Sequence, residues 1–245
     1  MALRESFESS GQWLFRWRSY LPLLLFLVVG PAMIGFREPR GTEALLWEGF
    51  CLCVSLAGLV IRGIVVGTTP SGTSGRNTHE GQVASTLNTS GLYSVVRHPL
   101  YVGNYLMWIG VALFPRQWWP PVLVSLLFWL YYERIMFAEE EFLRRTFGPR
   151  FEAWAATTPA FIPRFRRWER ANLCFSWRMV LRREYSGFYG VIASFFVLEL
   201  LGDTFGARRD RVDPAWLALF VGATLVYVTL LLLKRRTRLL RVSGR

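Results

Sequence analysis

Six apolar segments, nearly free of charged residues, constrain the fold of this chain more than any other feature. A helix that crosses a bilayer needs about 20 such residues, and repeated segments near this length are typical of integral membrane proteins. Of the 245 residues, 52% are hydrophobic. The sequence therefore predicts an all-α, polytopic membrane protein with about six transmembrane helices. The segments, of which the third and fifth are short, are 20–36, 44–66, 99–114, 121–138, 185–201 and 216–233.

The positive charges lie unevenly between these segments. With six spans, the N-terminus and the loop 67–98 lie on one side of the membrane. The dense arginines of 144–183 and the basic tail 234–241 lie on the same side. Positively charged loops stay in the cytoplasm, so we expect both termini there. No small-residue cleavage site follows the first segment, which is therefore expected to be a retained span and not a signal peptide.

The chain divides into three parts by composition and hydropathy. Residues 1–66 form an N-terminal hairpin of two predicted spans, residues 67–163 form a middle block, and residues 164–245 contain a basic loop and a second hairpin. The middle block opens with a polar loop, rich in Gly, Ser and Thr, of about 30 residues. A loop of that length inside a compact protein is either functional or disordered.

Arg97 and His98 stand directly before Pro99, at the predicted start of the third span. Pro99 fits the first turn of a helix, where its missing N–H costs nothing. Arg97 and His98 would then lie at the helix entrance, where free N–H groups and the positive end of the helix dipole favour an anion. The alternative is that Arg97 only reaches to the membrane surface from a helix-entry turn.

Three consecutive glutamates, 139–141, end the fourth predicted span. Carboxylates at a helix C-terminus oppose the helix dipole and repel one another, so this arrangement indicates a cationic partner. Arg144 and Arg145 lie at helical spacing from the last two glutamates and offer a local alternative, in which Glu141 is a surface partner of Arg145. Glu139 is harder to explain in that way, because it shares a face with Tyr132 that should point into the helix bundle.

Two linked motifs, within residues 87–163, resemble a known family. The segment "GLYSVVRHPLYVG" is followed, at the expected spacing, by "EEEFLRRTFGPRFEAWAATTPAFIP". Together they resemble the isoprenylcysteine carboxyl methyltransferase family and its phospholipid-methylating relatives. The resemblance implies an integral membrane enzyme that uses S-adenosylmethionine, with a cytoplasmic cofactor pocket formed by loops and helix ends.

The resemblance also implies roles for individual residues. Glu139 would face the positive end of the cofactor, with Glu140 beside it as a catalytic residue. An arginine shortly before the glutamate pair binds the substrate carboxylate in the prenyl-protein enzymes, and Arg134 falls close to that place. The cofactor-binding residues implied by the motifs are Leu87, Tyr93, Arg97, His98, Tyr101 and Glu139.

The chain departs from the family pattern after the second motif. It continues for about 80 residues, and the character of its polar loop is closer to a bacterial subgroup, which implies a bacterial inner membrane. New specificity is usually added to a retained chemical site. We therefore expect residues 164–245 to form the acceptor-lipid region, with Arg178, Arg182 and Arg183 binding substrate.

The acceptor is predicted from chemistry and charge. Methyl transfer to an anionic oxygen needs no general base, whereas an amine acceptor would need Glu140 or Glu141 to remove a proton. The chain has 28 arginines and one lysine, and guanidinium groups bind phosphate bidentately. A phosphate-bearing lipid, such as the 1-phosphate of lipid A, is the first choice. The alternative is that the arginines only set the topology.

Two other functions remain open from the sequence. Membrane sterol-type reductases, which use NADPH, share a segment like "RHPLYVG", but their later motif differs from "EEEFLRRTFG". A non-enzymatic protein that binds anionic lipid would explain the arginines but not the glutamates. The two histidines and three cysteines form no metal-binding motif, and nothing in the sequence indicates a nucleic-acid partner.

Overall fold

The computed structural model describes residues 3–18, 20–34, 41–70, 76–78, 81–205 and 213–242. Within these residues the fold is almost entirely helical, as predicted. A hairpin of two three-residue strands, β1 (Arg76–Thr78) and β2 (Gly81–Val83), lies in the polar loop. The helices are α1 (Leu3–Trp17), α2 (Leu25–Ala32), α3 (Thr42–Thr68), α4 (Pro99–Leu113), α5 (Trp119–Phe147), α6 (Pro149–Thr157), α7 (Trp177–Phe205) and α8 (Pro214–Arg236).

Four of the described helices, α3, α5, α7 and α8, are long and apolar enough to cross a membrane by length and composition. They coincide with the second, fourth, fifth and sixth predicted segments. Helix α4 corresponds to the third segment and is apolar but only 15 residues long. An all-α membrane protein is thus confirmed, whereas the predicted count of six spans is not.

The first predicted segment, 20–36, is not a single long helix where the structure describes it. A 3₁₀ turn at Leu21–Leu24 precedes α2, which has eight residues and contains Pro31. Proline lacks the N–H that would bond to the carbonyl four residues earlier, so Pro31 interrupts the hydrogen-bond ladder within α2. Hydropathy alone detected the apolar run but did not register this interruption. Residues 35–40 lie outside the described part of the chain.

Helices α3 and α4 pack closely through small residues. A Cβ atom added to Gly58 would lie 2.3 Å from the carbonyl oxygen of Gly103, and one added to Gly110 would lie 2.2 Å from the Ser55 hydroxyl. The Ser55 hydroxyl in turn donates to the backbone carbonyl of Met107 at 3.0 Å. Small residues let helix backbones approach in this way in membrane proteins. The contact holds α4 against a membrane-length helix.

Helix α1 lies along the C-terminal half of α5. Arg145 forms an ion pair with Glu8 at 2.6 Å, and Gly11 lies under the backbone carbonyl of Arg134. The ring of Phe7 packs edge-on against Phe137 at 5.8 Å between centroids. This amphipathic helix therefore covers the part of α5 that precedes and includes the glutamates.

Candidate functional site

The two motifs meet where α4 begins and α5 nears its end. His98 is the N-cap residue of α4 and Pro99 occupies the first turn, as predicted. The His98 Nε2 atom lies 2.9 Å from Glu140 Oε1, and His98 Nδ1 lies 3.6 Å from Glu139 Oε2. Tyr101, one turn into α4, donates its hydroxyl hydrogen to Glu139 Oε2 at 2.9 Å. Four of the predicted site residues are thus in direct contact.

Arg97 connects this cluster to the end of α6 and the residues directly after it. Its Nε donates to Glu140 Oε1 at 2.8 Å, and its Nη1 donates to the backbone carbonyls of Ala155 and Thr158 at 2.8 and 3.0 Å. The backbone N–H of Arg97 donates to the carbonyl of Pro159 at 2.8 Å. The guanidinium group of Arg97 therefore forms hydrogen bonds within the protein, and Arg97 does not merely reach to the membrane surface.

Glu139 lies inside the helix bundle. Its residue surface is 8% exposed, and Tyr132 on the same face of α5 is 2% exposed, so the predicted inward orientation of this face is confirmed. The rings of His98 and Tyr101 are stacked with centroids 5.5 Å apart, and Tyr101 packs against Tyr132 at 4.8 Å. The carboxylate thus has an aromatic wall on one side.

Glu139 and Glu140 shift the pKa values of neighbouring residues. Burial lowers the pKa of His98, but hydrogen bonds and charges from Glu139 and Glu140 outweigh this effect and raise the pKa above its ordinary value. Burial also raises the pKa of Tyr93, and the negative charge of Glu139 raises it further, against the opposing charges of Arg62 and Arg183. The two glutamates therefore favour the charged form of His98.

The local alternative for the glutamates is right for only one of them. Glu141 pairs with Arg144 at 2.9 Å and with Arg145 at 3.5 Å, and also contacts Arg4 of α1. It is 3% exposed, so its interpretation as a surface residue was wrong. Glu140 instead pairs across the bundle with the residues of the first motif. The expected cationic partners of the pair are therefore supplied partly by the protein.

Two predicted residues lie away from this cluster. Leu87 is buried in an apolar group with Leu143 and Phe151, between the polar loop, α5 and α6. Arg134 donates to the Ser10 hydroxyl at 3.3 Å and lies over the ring of Phe7. The structure thus places Arg134 against α1 and not beside the glutamates, and its catalytic role stays a prediction.

The predicted substrate-binding arginines lie at the start of α7. Arg178 is exposed, whereas Arg182 and Arg183 are half-buried. The loop before α7 returns to the first motif, because the N–H of Gly91 donates to the carbonyl of Glu169 at 3.1 Å. The start of α7 is therefore held on the same side of the bundle as the site, and the lipid-binding role of these arginines stays a prediction.

Sequence reasoning missed a polar group deeper in the bundle. Arg62 of α3, Asn104 of α4 and Glu184 of α7 are connected by hydrogen bonds of 2.7–2.9 Å. The available signal was Arg62 itself, a charged residue within the apolar run 44–66. Such residues in membrane spans are costly and usually functional.

Comparison with known proteins agrees with this geometry. Residues 51–150 match the family model of phospholipid methyltransferases. This range contains the first motif, all three glutamates and the whole of α5. No solved structure matches the chain.

Three curated proteins show significant similarity over parts of their length. The nickel-cobalt-cadmium resistance protein NccN of Alcaligenes xylosoxydans is 37% identical over 60% of this chain and 54% of its own length. The cobalt-zinc-cadmium resistance protein CzcN of Cupriavidus metallidurans is 40% identical over 34% of this chain and 38% of its own length. The protein-S-isoprenylcysteine O-methyltransferase of Schizosaccharomyces pombe is 32% identical over 31% of this chain and 33% of its own length.

The chain spans about half or less of each of these relatives. The family model nevertheless covers the region that the structure brings together at the start of α4 and the end of α5. Over residues 51–150, the chain is therefore similar to phospholipid methyltransferases, which supports a membrane methyltransferase.

Proposed function

We propose that the protein transfers a methyl group from S-adenosylmethionine to the headgroup of a membrane lipid. The observation that carries this proposal is the buried Glu139 carboxylate, held by Tyr101 and His98 near the end of a membrane-length helix. A buried carboxylate in this position suits a ligand that is itself cationic.

The residues present fit S-adenosylmethionine. Glu139 and the Tyr101 ring provide a negative charge and an aromatic face, both of which attract a sulfonium or ammonium group. The start of α4 is the positive end of its helix dipole, which would favour the ligand carboxylate. When bound, S-adenosylmethionine supplies an electrophilic methyl group, whose departure leaves a neutral thioether. Arg97 would act indirectly, because it holds Glu140 and the segment that follows α6 in place.

The acceptor is proposed to be an anionic phosphate oxygen. Such an oxygen provides the electron pair of the new O–C bond, and no proton has to be removed. The chain would therefore need only to align the two substrates and exclude water. Lipid A 1-phosphate is the acceptor we favour, with Arg178, Arg182 and Arg183 at its headgroup. The protein would lie in a bacterial inner membrane with both termini on the cytoplasmic side.

A phosphate acceptor also offers a connection to the metal-resistance relatives. Methylation of a phosphate monoester removes one ionisable oxygen, which lowers the negative charge that a lipid surface presents to divalent cations. We propose this indirect route, through lipid charge. Among the described residues, no group of three or more His, Cys, Asp or Glu side chains is placed to hold a metal ion.

Cofactor binding is the direct test of the proposed function. In calorimetry of the full chain in detergent, we expect S-adenosylmethionine to bind and NADPH not to bind. The Tyr101→Phe variant removes the hydroxyl group that orients Glu139. The His98→Ala variant removes the imidazole ring that contacts both Glu139 and Glu140. Both variants should bind S-adenosylmethionine more weakly, by about tenfold or ~1.4 kcal/mol, while thermal unfolding shows that the fold is retained.

Tyr105→Phe is the matched control for the tyrosine variant. Tyr105 lies one turn further along α4, and its hydroxyl group hydrogen-bonds to Ser125 and not to a glutamate. This variant should bind the cofactor as the wild type does. Binding of NADPH in place of S-adenosylmethionine would favour the reductase alternative. Unchanged affinity in both site variants would remove the cofactor assignment.

The acceptor-lipid region can be tested by charge reversal. Replacing Arg178, Arg182 and Arg183 together by Glu should raise the KM for an anionic lipid by about tenfold or more, because guanidinium–phosphate pairs would become repulsive. Cofactor affinity should stay the same. The assay follows a labelled methyl group into extracted lipid, with cysteine labelling at both termini to verify insertion.

A second triple variant controls for the loss of positive charge as such. It replaces three exposed arginines of the C-terminal tail by Glu and should leave the KM unchanged. If both triple variants insert correctly and methylate at the wild-type KM, the arginines at the start of α7 are topological signals only. The control residues are Arg235, Arg236 and Arg238.

A further inference from the structure

An ion pair inside the bundle joins the family domain to the C-terminal third. Arg62 of α3 donates to both carboxylate oxygens of Glu184 in α7, at 2.8 and 2.9 Å. The side chains are 22% and 6% exposed, respectively. A charged residue at such a place is costly unless it is paired and bidentate, and it usually marks a functional part of a membrane protein.

A continuous path of polar contacts leads from this ion pair to the glutamates. Arg62 Nη1 donates to Asn104 Oδ1 at 2.7 Å, which leaves the amide group of Asn104 to donate to the Tyr132 hydroxyl, also at 2.7 Å. The Tyr132 ring packs against Tyr101, whose hydroxyl group binds Glu139. The guanidinium can only donate, so it also fixes which way the Asn104 amide points.

We infer that Arg62, held by Glu184, is a positioning residue for the site: through Asn104 and Tyr132 it fixes Tyr101 and the Glu139 carboxylate. The inference rests on the proposed function, because it concerns the carboxylate that would meet the cofactor. It also gives the C-terminal third a role in the site, since Glu184 lies outside the matched residues 51–150.

Helix α7 approaches α3 closely near Glu184, at a position where α7 carries a glycine. Gly187 lies one turn further along α7, and a Cβ atom added there would lie 3.3 Å from Leu59 Cδ1 and 3.4 Å from Glu184 Oε2. An added methyl group would be in tight contact with the Leu59 side chain and in ordinary contact with the carboxylate. Helix α7 therefore lies close to α3 where Glu184 meets Arg62.

Neutralising the ion pair separates positioning from stability. The single variants Arg62→Gln and Glu184→Gln each leave one buried charge without its partner, so the melting temperature of both should fall. The double variant Arg62→Gln/Glu184→Gln has no uncompensated charge and should regain most of the melting temperature. Because it still lacks the guanidinium that orients Asn104, its affinity for S-adenosylmethionine should remain lower by about tenfold, or ~1.4 kcal/mol.

Two further variants complete the experiment, which uses the full chain in detergent. Glu199→Gln removes another buried carboxyl group of α7, about 22 Å along the helix from Glu184 at 1.5 Å per residue. It should leave the cofactor affinity unchanged. Tyr132→Phe keeps the ion pair and the ring packing but removes the hydroxyl group that Asn104 holds, and it should weaken cofactor binding in the same direction.

The outcomes separate this inference from the proposed function. A double variant that regains both melting temperature and wild-type affinity would show that the ion pair only stabilises the fold, and would overturn the inference. If the double variant does not fold, wild-type affinity in Tyr132→Phe overturns it instead. A wild-type chain that does not bind S-adenosylmethionine would overturn the proposed function, and the inference with it.

Discussion

Glu139→Gln should lower the rate of methyl transfer by about 10²-fold or more, which corresponds to ~2.7 kcal/mol of transition-state stabilisation. The substitution keeps the size of the side chain and removes its charge. In the structure this carboxylate accepts a hydrogen bond from Tyr101 and faces the imidazole of His98, so it is already positioned when a cation arrives. A neutral amide in its place can neither balance a sulfonium nor hold the tyrosine in the same way.

The measurement is transfer of a labelled methyl group to a lipid extract, with cofactor affinity determined in parallel. Glu133→Gln is the matched control, since Glu133 lies on the same helix but is exposed. It should retain wild-type activity. Glu141→Gln is unsuitable as a control, because Glu141 is buried among arginines. Equal, small losses in the Glu139 and Glu133 variants would mean that the charge of Glu139 has no specific role in methyl transfer.

Gly58→Ala should strongly destabilise the bundle and also reduce methyl transfer. The added Cβ would lie 2.3 Å from the carbonyl oxygen of Gly103 and 2.8 Å from the backbone nitrogen of Met107. Both are backbone atoms, so α3 and α4 must move apart. Overpacking of this kind costs about 1–3 kcal/mol or more, which is about 2–4 °C in melting temperature per kcal/mol for a chain of this size.

The effect on methyl transfer follows from the position of the contact. Gly103 lies two residues after Tyr101, so a shift of α4 at this point would displace the tyrosine from Glu139. Gly49→Ala is the control: it changes the same helix at a position with no atom within 4 Å of the added Cβ. A Gly58→Ala variant that melts and turns over like Gly49→Ala would contradict the close packing of α3 on α4.

Much of the site could be predicted from the sequence because its parts lie in two local motifs. Pro99 identified the start of α4, and the helical spacing of Tyr132 and Glu139 identified the buried face of α5. The run of three glutamates indicated a cationic partner, but α5 continues to Phe147, so their expected position at the helix C-terminus was wrong. These are properties of one helix and its termini, and a sequence determines them without reference to the rest of the fold.

The number of membrane-length helices could be predicted less well. Average hydropathy detected the segment 20–36, but it did not show that a 3₁₀ turn and an eight-residue helix occupy the described part of this segment. The predicted three-part division was not tested, although contacts such as that of Gly91 with Glu169 cross its second boundary. Composition changes along the chain, whereas packing joins residues far apart in it.

The choice of partners was decided only by the tertiary structure. Helical spacing alone predicted Arg144 as the partner of Glu140. Because α4 crosses α5, Glu140 instead contacts Arg97 and His98, which lie 43 and 42 residues earlier in the chain. Spacing likewise gave no partner to Arg62, which is met by a carboxylate 122 residues later. A buried charge requires a counter-charge, and a sequence states that requirement. Which residue meets it depends on how helices approach in space, and that depends on small residues at their contacts.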